Sequence, residues 1–239
     1  MDENLLNDVV AAALAAGADA AEAVGTERRA LSITVRNGEL EEVEREESRD
    51  LGLRVFIGQR QASVSGSDIS AEARAKLVAR CVAMARLAPE DRYAGLADLD
   101  RLARAPLADL DLYDSTEPLP EALEEKARAA EAAARAVPRV TNSDGGSASW
   151  STGQWRMLTS AGFSGLHRAS SFSVGASAIA GDAGGMETGY DGRAVRWQGD
   201  LPDAGDIGTE AGRRAAGRLG ARKIQSTTAP VIFENRLAA

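Results

Sequence analysis

Arg168 to Ala180 reads RASSFSVGASAIA, placing Phe172, Val174, Ala176 and Ala178 on one side and Ser171, Ser173, Gly175 and Ser177 on the other. A period of two over this length predicts a strand, because successive side chains of an extended chain point to opposite faces. Small residues on both sides imply close approach by another sheet, chain or ligand. Outward from this strand, Ala148 to Leu158 alternates in the same way, and the intervening TSAGFSG (159–165) reads as a turn. Gly181 to Gly189 reads as a loop, Arg193 to Gln198 as a further strand, and Asp206 to Leu219 as a final helix. On the other side, Pro120 opens an Ala/Glu/Arg-rich helix, since proline suits a first helical position, and Pro138 ends it after Val137.

The first ninety residues repeat this mixture. Leu5, Leu6, Val9, Val10, Ala13 and Leu14 share one face of a helix from Asn4 to Ala16, which Gly17 stops. Leu31, Ile33 and Val35 then alternate up to Asn37-Gly38, a strong short hairpin signal. The return strand, Glu39 to Arg49, has Leu40 and Val43 out of strict alternation, which implies a bulge or a half-exposed edge. Leu51 to Ile57, a Gly58-Gln59 turn, and Ala62 to Val64 complete an expected four-stranded meander. Asp68 or Ser70 caps a helix running to about Leu87. From Pro89 to Pro120 no period is sustained, as in a linker lying over the surface. The fold class is thus α+β, with two small domains, each a mainly antiparallel sheet flanked by helices. The expected boundaries are 1–92, a linker at 93–116, a central domain at 117–222, and the first strand of a further domain at 223–239, with Ala229 to Phe233 as that strand.

Composition narrows the chemistry. Aromatic residues are only 4% of the 239, so the core is built mainly of Ala, Val, Leu and Ile. Thirty-six acids against 28 bases give a net charge of −8, which opposes binding to a phosphate backbone. No apolar run is long enough to span a membrane, and the acidic MDENLLND start is unlike a signal peptide, so a cytoplasmic location is expected. One Cys and one His cannot assemble the common zinc sites.

Individual candidates have plain readings beside functional ones. The acids of Glu39 to Arg49 read as a solvated strand face carrying Arg45 and Arg49 among them. Cys81 shares a helix face with Leu77, Val78, Val82 and Ala85, so it reads as a small buried hydrophobe. His167, near Ser170 and Ser171, allows a Ser-His pairing to be imagined, but no Gly-x-Ser-x-Gly elbow is present, and a rim position at the start of a strand is the plainer reading. The glycines of 181–189 could cradle an anion, yet they spell neither phosphate-binding glycine motif. Trp150, Trp155 and Trp197 are expected to anchor the second core or a subunit contact.

Taken in order, several phrases resemble the TldD/PmbA family over essentially the whole chain, and its PmbA (TldE) branch most. They are Leu51-Gly52-Leu53-Arg54-Val55 with Gly58-Gln59-Arg60-Gln61-Ala62, then Ala83-Met84-Ala85-Arg86-Leu87-Ala88-Pro89-Glu90-Asp91, and Leu110-Asp111-Leu112-Tyr113-Asp114. Thr141-Asn142-Ser143, Ser160-Ala161-Gly162-Phe163, Gly185-Met186-Glu187 and Tyr190-Asp191 follow. The resemblance implies a subunit of a cytoplasmic heterodimeric metalloprotease that processes peptides or antitoxins. The zinc and its HExxxH helix are expected in the TldD-like partner, and the PmbA-like subunit is expected to carry no catalytic, cofactor-binding or metal-binding residue. Glu187 and Asp191 could then reach a partner's metal region only in the assembled complex. A homodimer is also compatible, while direct nucleic-acid or membrane contact is not expected. Family members are roughly twice this length, so a truncated or split form is expected, with the metal-helix equivalent starting at Asn235-Arg236-Leu237-Ala238-Ala239. The alternative is an autonomous peptide- or protein-binding module with no enzyme partner.

Overall fold

The computed structural model describes residues 1–103, 108–182 and 184–235. Helix α1 (Glu3–Ala15) is capped by Asp2, whose carboxylate accepts the Asn4 amide, and it buries Leu6, Val9, Val10 and Ala13. Gly17, at φ 99°, turns the chain into β1 (Ala20–Arg36). Asn37 and Gly38, at φ 54° and 76°, make the tight turn into β2 (Glu39–Ile57). β3 (Arg60–Gly66) and α2 (Ala71–Leu87) follow, and the Ser70 hydroxyl caps α2 by accepting the Ala73 amide. After the linker come α3 (Pro120–Arg135), β4 (Val140–Thr159), β5 (Ser164–Asp182), β6 (Gly185–Val195) and α4 (Ala204–Arg218).

The mixed α+β character matches the sequence reading, but the sheets do not stay separate. All six strands form one antiparallel sheet in the order β3-β2-β1-β4-β5-β6. β1 pairs with β4 from Glu22–Thr159 to Val35–Gly146, so the ladder runs unbroken between the two expected domains. Three further corrections concern strands. The expected four-stranded meander has three, because β2 continues for 19 residues through Asp50 while pairing with β1 throughout. Its register shifts between Thr34 and Val35, so that Glu41 bulges and Leu40 and Val43 lose alternation. Much of the expected 181–189 loop is the β5–β6 hairpin, tightened at the Asp182–Gly185 pair. Ala229 to Phe233 carries no strand pairing here, and Val231, Ile232 and Phe233 are exposed. Of the expected helix at 235–239, residues 236–239 lie outside the described residues.

Both helix pairs cover the same face. The odd-numbered residues of β1 contribute Ala21 and Ala23 to a core under α1 and α2, and Leu31, Ile33 and Val35 to a second core under α3 and α4. Sequestering these side chains from water stabilises the fold by roughly 1.5–3 kcal/mol for each large one. Close approach is made by helices, not by the other sheet, chain or ligand expected, and the tightest points are glycines outside the two alternating stretches. A Cβ on Gly146 would overlap the Ala127 carbonyl of α3, and one on Gly189 would overlap the Ala215 amide of α4. Among the described residues, none of the four α-helices covers the opposite face. There Ser32, Ser149 and Ser173 form a cross-strand row, with the Ser149 and Ser173 hydroxyls 2.8 Å apart.

Candidate functional site

Between the two apolar cores the sheet turns polar, and that interruption creates a seam. Arg49, Glu27, Gln154 and Arg168 sit side by side on β2, β1, β4 and β5. Arg49 Nε lies 3.3 Å from Glu27, the Gln154 amide donates to the other Glu27 oxygen, and Arg168 Nε donates to Gln154 Oε1 at 3.2 Å. The Met1 amino group, 2.9 Å away, is the chief cause holding the Glu27 carboxyl below its ordinary value, aided by Gln154 and Arg49 and opposed by burial. Arg29 bonds Glu117 at 2.8 Å and lies over the Trp150 ring. The resulting cleft, of about 810 Å³, reaches Ser67 on one side and Tyr113 on the other. Its charges are largely satisfied by one another, which suits a structural girdle.

The second cavity wraps the edge of β5. It measures about 600 Å³, and Leu110, Leu112, Tyr113, Trp155, Phe163 and Leu166 supply its apolar wall beside His167 and Arg168. Trp155 and His167 are cross-strand neighbours whose rings lie 5.7 Å apart. Pairing with β6 begins only at Phe172, so among the described residues Ser164 to Ser171 have a strand neighbour on the β4 side alone. The Ser170 amide donates outward to the Leu112 carbonyl, and its carbonyl accepts from Arg196. By alternation, the main-chain groups of Arg168 and Leu166 face the same open side.

A buried polar knot holds the linker against this edge. Ser170, 1% exposed, donates its hydroxyl to the Arg196 carbonyl at 2.7 Å and accepts the Asp114 amide at 2.8 Å. The Asp114 carboxylate accepts from the amides of Gln198 and Thr116, each at 2.9 Å, and Trp197 donates its indole N–H to the Asp111 carbonyl. The linker expected at 93–116 has no sustained period, and its last residues are pinned by bonds that no period encodes. The Gln198 amide, then Thr116, hold the Asp114 carboxyl below the ordinary aspartate value. With its folded pKa depressed, Asp114 contributes stability that is complete above the unfolded value and is lost as pH falls through the folded one. Wild type should therefore lose thermal stability relative to Asp114→Asn as pH drops below about 4, read as converging melting temperatures.

His167 lies within β5, half-buried, and Ser170 is on the opposite face by parity. Ser171 shares the face of His167 but lies four residues along the strand, about 13 Å away, so β5 itself brings no serine to His167. The Cys81 thiol is buried between the Leu53 and Ala62 carbonyls, and desolvation pushes its pKa up. Trp150 is a core residue as expected, whereas Trp155 and Trp197 are 42% and 38% exposed. Asp191 is 3% exposed and lies 3.0 Å from Arg193 and 3.9 Å from Arg214 of α4. Glu187 lies half-buried on the same side of β6. Among the described residues no three His, Cys, Asp or Glu side chains converge as a metal site. No helix among them is long and apolar enough to cross a membrane.

Residues 21–85 match the PmbA/TldA metallopeptidase domain 1, and residues 113–219 match the PmbA/TldA metallopeptidase central domain. The chain is 36% identical to Metalloprotease PmbA of Escherichia coli O157:H7, over 98% of its own length and 53% of the relative's. It is 33% identical to a Metalloprotease PmbA homolog of Haemophilus influenzae, over 93% and 49%. It therefore spans about half the length of these relatives. In fold it is similar to a modulator of DNA gyrase from Bacteroides thetaiotaomicron, with TM-score 0.87 and 24% identity over 94% of this chain and 52% of that one. It is also similar to TldE from Thermococcus kodakarensis, with TM-score 0.74 and 16% identity over 89% and 47%. Two family domains in succession, and relatives matched along nearly the whole sequence, establish that the chain belongs to the PmbA/TldD metallopeptidase family.

Proposed function

We propose that this chain serves as a non-catalytic, scaffold-like PmbA/TldE-like subunit that works in the cytoplasm beside a TldD-like partner. The partner supplies the zinc and the hydrolytic step, and the substrates are peptides or antitoxins. One arrangement carries the reading: the open edge of β5 beside the aromatic pocket. An extended peptide would add to that edge by hydrogen bonds to the main chain at Leu166 and Arg168, a recognition mode that reads backbone rather than sequence. A side chain of the peptide would then rest against Trp155, Phe163 and Leu166.

The test is co-expression with a TldD-like protein, followed by size-exclusion chromatography, zinc analysis and a peptidase assay. A stable complex with zinc in the partner and activity only in the complex is expected. Trp155→Ala should raise KM by about tenfold or more, the scale of losing an aromatic anchor, and leave complex formation intact. Stoichiometric zinc in this chain alone would overturn the reading. Peptide binding without any complex would favour an autonomous binding module instead.

A further inference from the structure

The tip of the β1–β2 hairpin carries chemistry that neither the seam nor the β5 edge uses. Asn37 and Gly38 are exposed at the turn, so water reaches them. Beneath them lies Glu131 of α3, only 1% exposed, in the second core. Its two oxygens accept the two consecutive turn amides, Asn37 N–H at 2.7 Å and Gly38 N–H at 2.8 Å. Arg128, one turn earlier on α3 and paired with Glu124, donates to the Gly38 carbonyl. Both flanks of the Gly38 peptide unit are thereby held by one helix.

An asparagine followed by glycine is the pair most open to intramolecular deamidation, because glycine has no side chain to shield its amide. The Gly38 nitrogen must give up its proton to solvent and bond to Asn37 Cγ. The Cγ–Nδ2 bond then breaks, and the side-chain nitrogen leaves as ammonia. Water reopens the five-membered succinimide to aspartate or isoaspartate, so the net change is water in and ammonia out, with no oxidation or reduction. The Glu131 carboxylate opposes the first step twice over: it holds the proton that must leave, and its charge disfavours an anionic nitrogen 2.8 Å away. Ring closure also needs rotation about the Asn37 backbone, which the paired bonds to Glu131 resist.

We propose that Asn37-Gly38 is a latent deamidation site that Glu131 keeps closed while α3 is docked. Isoaspartate there would add a methylene to the main chain at the turn that aligns Arg36 with Glu39, so the modification would record each episode in which α3 lets go.

The experiment incubates the folded protein at mildly alkaline pH and follows Asn37 by peptide-mapping mass spectrometry. A synthetic peptide of residues 33–43 and the variants Glu131→Gln and Leu53→Ala are run beside it. Glu131→Gln keeps the volume but has one acceptor for two amides. The folded wild type should react at least about tenfold more slowly than the peptide, the factor one charge-assisted hydrogen bond supplies. Glu131→Gln should recover most of that factor. Leu53→Ala, which weakens the distant core under α1 and α2, should not. Equal rates in wild type and Glu131→Gln would overturn the proposal, as would equal acceleration by Leu53→Ala, which would assign the protection to global folding.

Discussion

Gly208→Val is expected to cost about 3 kcal/mol, or to prevent folding, although it places a hydrophobic residue in a buried helix position. The helices α3 and α4 meet there backbone to backbone. A Cβ on Gly208 would overlap the Ala130 carbonyl, and one on Gly212 would press on the Ala134 carbonyl and Val137. A helix carbonyl cannot swing aside like a side chain, so α4 must lift as a unit and open the core beneath Ile207 and Ala211. Gly217 is the internal control, because it lies on the same helix with nothing within 4 Å of its would-be Cβ. Gly217→Ala should stabilise by up to about 1 kcal/mol through helix propensity alone. Equilibrium urea unfolding of the two variants should therefore move in opposite directions. Equal and small shifts would mean that the helices do not touch at Gly208.

Those glycines also show where sequence patterning reaches and where it stops. Alternation in Arg168–Ala180 located β5 correctly, since one buried face and one uncovered face impose a period of two. Asn37-Gly38 located its hairpin because few residues other than Asn and Gly sustain two successive positive φ values. The β1–β4 ladder was not legible. Pairing between strands more than a hundred residues apart leaves no local signature, and the ladder therefore overrode the expectation of separate sheets. The continuation of β2 through Asp50 was obscured for a different reason: its first half lies exposed, so its residues are not constrained to alternate. At the candidate site, Trp155 and His167 could be named from the sequence as scarce residue types, but Leu110, Leu112 and Tyr113 could not be placed beside them. Their docking rests on the bonds of Asp114 and Ser170, which are single contacts between distant segments.

Phe172→Ala should be the most damaging cavity-forming change, at about 4 kcal/mol, with a fall in melting temperature of roughly 10 °C. Phe172 is among the largest fully buried side chains, and it lies in one row with Leu31 and Trp150 under α3 and α4. The informative question is how far the damage spreads. The cores under α1–α2 and α3–α4 are distinct, with the polar girdle between them, so two independent units would let the first stay protected while the second opens. The continuous sheet argues for the opposite. β1 furnishes residues to both cores and is hydrogen-bonded to β4 along most of its length, so releasing β4 and β5 leaves β1 with only β2 as a neighbour. Hydrogen exchange of the Phe172→Ala protein should show amides of β1 and α1 losing protection together with those of β5 and α4, in one cooperative transition. Undiminished protection of α1 and α2 in that variant would instead make the seam a true domain boundary, and the ladder across it a contact between two separately stable halves.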